Sequence, residues 1–509
     1  MPNKINQLRS GVVLSYINMF LGMLIPFFYT PVVLRMLGQA EYGLLSLSHS
    51  VVSYLSLLSF GFGTTIVRYI SKYRAEEDRE SLEKVYGFFI LLYCALALIV
   101  AVCGVFLANN VEAIFHKGLS SDEQIKMRSL VLIMAASSAL SFPLSVFSSM
   151  VVAHERFVFR NVLHVIMTVF SPAANLIALW LGYKSVGMAF AGLIVSFLFL
   201  PWNILYCRRK LGLKPRFARI PKALFFEMVR VSFYNFVASI VDMLFWATDK
   251  FILGMLAGSV AVAVYNIGAT FNNMIVGLST SISGVLAPKV TGMVVKKADR
   301  NELTELFVRV GRLQFLVIGL VVSGFIVFGK QFILIWVGPD YADSYTIALL
   351  TIIPLSIPLI QNTGISILVA QNKQKFRSIV YFIIAVINVI STYLVVPKLG
   401  GIGAALCSCV SYLVGQGVVM NIYYDKVIGI DIPFFWRRIL PMSAICLAMI
   451  LCGFAALKYI QFGGWFGFFS GVILYTLVYS FLMYRFAMNE YEKDVVRKPI
   501  RRIKSKLHP

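Results

Sequence analysis

The chain has 509 residues, 59% of them hydrophobic and 14% charged, with a mean hydropathy of +0.81. One soluble core cannot hide that much apolar surface, so lipid must be part of the solvent. The net charge of +23 would suit a polyanion, but the bases lie between apolar runs and form no basic stripe interleaved with stacking aromatics, which argues against nucleic acid as a partner.

A hydrocarbon core of about 30 Å takes about 20 apolar residues per helix. The start, MPNKINQLRS, is basic like that of a signal peptide, but the apolar run continues to about Leu34 without a small-residue cleavage site, so it is read as the first span. Spans are expected near 11–34, 42–66, 86–108, 129–152, 162–183 and 186–206. After a basic segment they resume near 231–255, 260–288, 313–336, 345–370, 378–396, 401–424, 437–459 and 464–485. The expected fold class is therefore all-α: a polytopic membrane protein of about fourteen transmembrane helices. The seven cysteines are odd in number and lack ligand spacing, and no H-E-x-x-H helix exists, so no disulfide framework and no metal site is expected.

With the amino terminus in the cytoplasm, 37 of the 46 Lys and Arg fall in cytoplasmic segments and 9 elsewhere. That asymmetry predicts both termini on the cytoplasmic side of a cell membrane. The densest clusters, Arg208 to Arg230 and Arg485 to Lys506, are placed to meet anionic headgroups. Trp180, Trp202, Trp336, Trp436 and Trp465 fall at span ends, where amphipathic rings prefer the headgroup level, and Trp246 lies within a span.

An internal repeat appears at an offset of about 217 to 221 residues. DRESLEKVY from Asp78 is echoed by DRNELTELF from Asp299, AHERFVFRN before the fifth span by AQNKQKFRS before the eleventh, and NILYCR from Asn203 by NIYYDK from Asn421. The expected organisation is two pseudo-symmetric six-helix lobes, 1–215 and 216–428, two extra C-terminal helices within 429–486, and a basic tail, 487–509. Six spans per repeat make the lobes parallel, the arrangement of transporters that give alternating access to a cavity near the midplane.

Of 23 acidic residues, only Asp242 and Asp249 fall inside a span, both in the seventh, where a charge costs roughly 3 kcal/mol on insertion scales. Asn235, Ser239, Asp242, Trp246 and Asp249 follow steps of four, three, four and three, which on an uninterrupted helix puts them on one face. That face is the main candidate site, its carboxylates handling H+ or Na+ and Trp246 stacking on a sugar or packing on lipid. The structural alternative pairs Asp249 with neighbouring Lys250 or with Arg35 and places Trp246 in a packed core. Arg35, at the outer end of the first span, and Arg68, at the inner end of the second, suit an anionic phosphate or acidic sugar, with snorkelling to headgroups as the alternative. His164, Asn175, Asn273 and Asn388 are secondary candidates on milder polar stripes that also suit interhelical packing.

The segments PFFYTPVVLRMLGQAEYGLLSL from Pro26, LSFGFGTTIVRYISKYR from Leu58 and DKFILGMLAGSVAVAVYNIG from Asp249 resemble the Wzx-like polysaccharide-unit (oligosaccharide-lipid) flippases of the multidrug, oligosaccharidyl-lipid and polysaccharide exporter superfamily. The resemblance covers the whole chain. It implies movement of undecaprenyl-pyrophosphate-linked repeat units across a bacterial inner membrane for capsule, O-antigen or a similar glycan, without catalytic residues or cofactor. It also implies lumen charges that handle an anionic substrate and an ion gradient, mapping by position onto Arg35, Arg68, Asp242, Asp249 and Lys250. The implied partners are the lipid-linked oligosaccharide, membrane lipids and polysaccharide polymerase or assembly proteins, around a functional monomer. The rival readings are a cation-coupled multidrug antiporter of the same superfamily and an integral glycan polymerase.

Overall fold

In lipid a backbone must satisfy its own hydrogen bonds, so long runs of Leu, Val, Ile and Phe with no interior charge fold as helices. The computed structural model describes residues 4–218, 221–296, 299–459, 464–495 and 497, and among these every regular element is helical. The basic tail from Lys498 to Lys506 lies outside the described residues.

In chain order the helices are α1 (Lys4–Leu37), α2 (Gln39–Ser53), α3 (Phe62–Ala75), α4 (Arg79–Asn109), the short α5 (Val111–Phe115), α6 (Ser121–Ala153), α7 (Phe157–Trp180), α8 (Lys184–Arg209), α9 (Lys222–Trp246) and α10 (Thr248–Leu256). They continue as α11 (Gly258–Val295), α12 (Arg300–Trp336), α13 (Asp343–Ile360), α14 (Thr363–Ala370), α15 (Gln374–Ser411), α16 (Met420–Tyr423), α17 (Ile432–Tyr459) and α18 (Gly464–Leu482). Among the described residues, thirteen helical stretches are long and apolar enough to cross a membrane. One of them, Gln374–Ile428, has 55 residues, roughly 80 Å of helix against a core of about 30 Å. It turns at Gly400, with φ 53° and ψ −137°, and so makes two crossings. Counting it twice gives the fourteen expected from hydropathy.

The chain packs as two units, one comprising Met1–Asn266 with Thr392–Gly401 and the other Ile267–Ser391 with Ile402–Pro509. In the first, α6 is the hub, packing on α2, α3, α4 and α8, while α1 packs on α7. Small residues let these helices approach: a Cβ on Gly104 of α4 would collide with that of Ala135 on α6. At one corner of this unit, Arg74 donates to the Ala153 carbonyl (2.5 Å) and pairs with Glu155 (3.2 Å), and His154 Nδ1 donates to the Met150 carbonyl (2.8 Å). Burial pushes the His154 imidazole below its ordinary pKa, partly countered by the Met150 carbonyl, with Arg74 and Arg156 adding to the depression.

In the second unit α12 is the hub, packing on α13, α17 and α18. It carries a buried arginine. Arg312 Nε and Nη2 grip both carboxylate oxygens of Glu492 (2.6 and 2.9 Å), and the guanidinium also donates to the carbonyls of Arg438 (2.5 Å) and Ala487 (2.6 Å). Glu492 is itself held by a reciprocal cap with Asn489. Paired and hydrogen-bonded on all sides, this charge is tolerable where a lone one is not.

The repeat is visible in local geometry. Asp78 caps α4 by accepting from Ser81 N, and Asp299 caps α12 by accepting from Glu302 N. Glu155 and Asn372, 217 residues apart, both adopt left-handed backbone, with φ 57° and 56°. Close to each, an aromatic pair stacks: Phe159 on Tyr206 at 3.7 Å, and Phe376 on Tyr423 at 4.1 Å.

Candidate functional site

Two spans of the first unit that read as continuous in sequence are interrupted, and the interruptions meet. After α2 the chain tightens into a 3-10 turn over Tyr54–Ser59, then passes through left-handed Phe60 (φ 48°) and Gly61 (φ 67°) before α3 begins. Glycine is required at 61 twice over: the conformation is left-handed, and a Cβ there would sit 2.6 Å from the Cβ of Asn235 on α9. In the facing span α9 ends at Trp246 and α10 starts at Thr248, joined through Ala247, whose backbone is stretched (φ −111°, ψ −28°) while its amide still bonds the Met243 carbonyl.

Hydroxyls link the two interrupted spans and bond carbonyls beside the breaks. Ser50 Oγ donates to the Ala247 carbonyl (2.8 Å), the Tyr54 hydroxyl and Thr248 Oγ1 share a hydrogen bond (2.7 Å), and Ser53 and Ser56 bond carbonyls of their own turn. Irregular backbone at membrane depth persists only where protein or water satisfies it, and such broken helices mark binding sites in transporters.

Asp249 stands in the first turn of α10, where the helix dipole favours a carboxylate. It is 3% exposed. Its Oδ2 accepts from the Tyr265 hydroxyl of α11 (2.5 Å) and its Oδ1 from Thr392 Oγ1 of α15 (3.5 Å). Lys250 follows it, half-buried, and the ring of Phe251 packs on those of Tyr54 and Phe115.

The residues that the sequence reading placed on one face differ in exposure. Ser239, Asp242 and Trp246 are exposed on α9, whereas Asp249 is buried on α10. Asn235 is half-buried, its amide donating to Thr64 Oγ1 (2.8 Å), and Ser232 and Thr65 bond one turn away (2.7 Å). Arg68 lies one turn past Thr64 and is exposed, as is Arg35 in the last turn of α1.

The secondary candidates separate. His164 and Asn175 face α1, where Asn175 Nδ2 donates to the Tyr29 hydroxyl (3.0 Å). Asn388 and Asn273 belong to the second unit: Asn388 is buried against Ser408 and Ser411, while Asn273 is exposed and its neighbour Asn272 is the one packed, accepting from Thr351 (2.9 Å). Ser50, Tyr54, Thr248, Tyr265 and Thr392 were not singled out by sequence. Their one sequence signal was the glycine-flanked run SFGFG from Ser59, which marks the first break. A further feature of this unit is an apolar cavity of about 720 Å³ along α7 and α8, lined by residues such as Phe170, Ile177, Phe190 and Ile194, which suits hydrocarbon. Among the described residues no cluster of metal-ligating side chains occurs.

Comparison with known proteins gives a consistent result. The model of the family described as "Polysaccharide biosynthesis protein" matches residues 8–294. The uncharacterized membrane protein EpsK of Bacillus subtilis (strain 168) is 21% identical over 503 residues, covering 95% of this chain and 96% of that protein. Among solved structures, the inward closed conformation of the lipid II flippase MurJ superposes with a TM-score of 0.73 at 18% identity, over 93% of this chain and 98% of that one. An inward-facing multidrug resistance MATE transporter of the MOP superfamily superposes with a TM-score of 0.62 at 14% identity, over 84% of this chain and 99% of that one. At these identities the structural likenesses establish the fold.

Proposed function

Because the chain belongs to the polysaccharide biosynthesis protein family, and is a multi-pass membrane protein with the MOP fold, we propose that it flips undecaprenyl-pyrophosphate-linked oligosaccharide repeat units across the bacterial inner membrane for surface polysaccharide synthesis. The observation that carries this reading is the pair of interrupted helices around Asp249: broken spans whose polar groups are held ready at membrane depth are built for binding a hydrophilic cargo or its driving ion. In the reading, the two six-helix repeats alternate access to a site that includes Asp242, Asp249, Lys250 and Asn235, with Trp246 stacking on sugar. Arg35 and Arg68 attract the anionic pyrophosphate, and the polyprenyl tail stays in hydrocarbon. Asp242 and Asp249 are the groups through which H+ or Na+ would couple. Transport of this kind needs no catalytic residue and no cofactor. Both termini are assigned to the cytoplasm from the distribution of Lys and Arg, and the protein acts as a monomer alongside polymerase and assembly proteins.

A cation-coupled multidrug antiporter is the second reading, supported by the MATE likeness. Spans α17 and α18 favour the flippase, since twelve spans usually suffice for the antiporters. Complementation of a flippase-null strain separates the two: restored surface glycan together with disappearance of inner-leaflet lipid-linked units supports the flippase. Resistance to cationic drugs with no return of glycan would support the antiporter.

A further inference from the structure

The interface between α1 and α7 carries a ladder of polar rungs. Ser15 meets Asn161 (2.9 Å), Asn18 meets His164 (3.2 Å) and Tyr29 meets Asn175 (3.0 Å), each pair 146 residues apart. A constant offset means that the two helices run parallel and in register. The α7 members, with Thr168 between, recur at helical spacing and extend for about 20 Å along the helix, from Asn161 to Asn175. Polar contacts between spans are commonly structural, but one rung has a nitrogen to spare.

The hydrogen-bond directions fix the His164 tautomer. Asn18 Nδ2 donates to the Asn161 carbonyl (3.1 Å), so the amide oxygen Oδ1, an acceptor alone, faces His164 Nδ1. Thr168 gives its hydroxyl proton to the His164 carbonyl (2.8 Å), so its oxygen too can only accept from Nδ1 (3.3 Å). Two acceptors converging on Nδ1 require that it carry the proton. Nε2 is then the basic atom of the neutral ring, and the His164 side chain is exposed. Asn161 locks the arrangement by donating to the Gly11 carbonyl (2.8 Å) and to Ser15 Oγ (2.9 Å). An imidazole inside a span is costly against lipid, so an exposed one belongs beside water.

We propose that His164 is a proton-binding site of the first unit: Nε2 takes up a proton within the span, and the resulting imidazolium is stabilised by the Asn18 and Thr168 oxygens. The electrostatic surroundings are simple. On α1, no charged residue occurs between Ser10 and Leu34; on α8, none between Ser185 and Cys207; on α6, none between Ser129 and Ala153. On α7 itself the nearest charge is Arg160, one turn away, with Arg156 beyond it. Along these stretches no carboxylate or cationic side chain faces His164 beyond the arginines at the start of α7. The functional consequence rests on the transport reading above; proton binding itself does not.

Two measurements test it. Ring-nitrogen NMR of the full-length protein in lipid nanodiscs distinguishes Nδ1–H from Nε2–H imidazole, and the difference from His164→Gln assigns the signal among the five histidines. The expected result is an Nδ1–H ring that becomes imidazolium within about pH 5 to 8, and that shifts toward Nε2–H in Asn18→Leu. An Nε2–H ring, or a ring that keeps one protonation state across that range, overturns the proposal. In vesicles, the pH dependence of lipid-linked oligosaccharide flux should flatten in His164→Gln, with at least a threefold change in the ratio of acid to neutral flux. An unaltered pH profile in a well-inserted variant overturns the coupling. If no variant moves the oligosaccharide, the flippase reading fails, and the NMR titration alone decides the proton site.

Discussion

Two buried carboxylates, Glu492 in the second unit and Asp249 in the first, differ in the hydrogen bonds that hold them. Glu492 in the second unit is gripped by the Arg312 guanidinium, which is also bound to two main-chain carbonyls, and the group is closed on every side. Asp249 in the first unit sits at a helix break, in a first turn, with hydroxyls of Tyr265 and Thr392 donating to it. A guanidinium clamp is hard to open, because parting the charges leaves both desolvated. Hydroxyls can rotate, and can donate to a carboxylate or accept from a carboxylic acid or a bound cation. The first arrangement holds helices together, and the second leaves a carboxylate able to change its partner.

The sharpest way to break this contrast is to remove each acid. Glu492→Ala strands a buried guanidinium and is expected to destabilise the protein by about 3–5 kcal/mol, read as loss of folded yield and of thermal stability in detergent. The paired change Arg312→Met with Glu492→Leu should recover most of that loss. A single Glu492→Ala variant as stable as the parent would show that the clamp is not structural. Gly61→Ala tests the break itself: with φ 67° and a neighbouring Cβ at 2.6 Å, it should cost roughly 1–3 kcal/mol, and a neutral effect would mean that the break is loosely held.

Asp249→Asn is expected to behave differently from Glu492→Ala. The amide fits the same space, so insertion and melting should change little while flux falls about tenfold, a change equivalent to about 1.4 kcal/mol. Asp242→Asn, on the exposed face of α9, should also lower flux with membrane levels intact; unchanged flux would reduce Asp242 to a packing residue. Tyr54→Phe removes the hydrogen bond to Thr248 and should cost about 0.6 kcal/mol, the typical size of a polar contact between spans. The smallest effect is on pH. His154 is held neutral in the fold, so its contribution is present above the ordinary imidazole value of 6.5 and is lost as pH falls below it toward the depressed native value. Melting temperature should therefore drop between neutral and mildly acidic pH, and His154→Gln should remove that part of the slope.

The spans were legible in the sequence because a stretch of about 20 apolar residues has few alternatives to a transmembrane helix. The repeat was legible because Asp78 and Asp299, or Phe159 and Phe376, perform the same local task twice. Asp249 and Lys250 stood out because charge is rare in such a run. Of the breaks, only the first left a signal, the glycine-flanked run SFGFG; hydropathy averages over the second, where Ala247 is an ordinary apolar letter. Tyr54, Tyr265 and Thr392 were missed for a related reason. Each is an unremarked hydroxyl in its own span, and it is the fold that brings Tyr265 and Thr392 to one carboxylate.

Reconstituted vesicles bring the account to its most direct test. Purified protein is inserted into liposomes carrying a lipid-linked oligosaccharide on one leaflet, and accessibility of the sugar to an external glycosidase is followed with time. The account predicts transfer by the parent chain, a drop of about tenfold in Asp249→Asn at equal protein content, and full transfer by the paired Arg312→Met, Glu492→Leu variant. Equal rates for the parent and Asp249→Asn, or no transfer by the parent with any lipid-linked glycan, would contradict it.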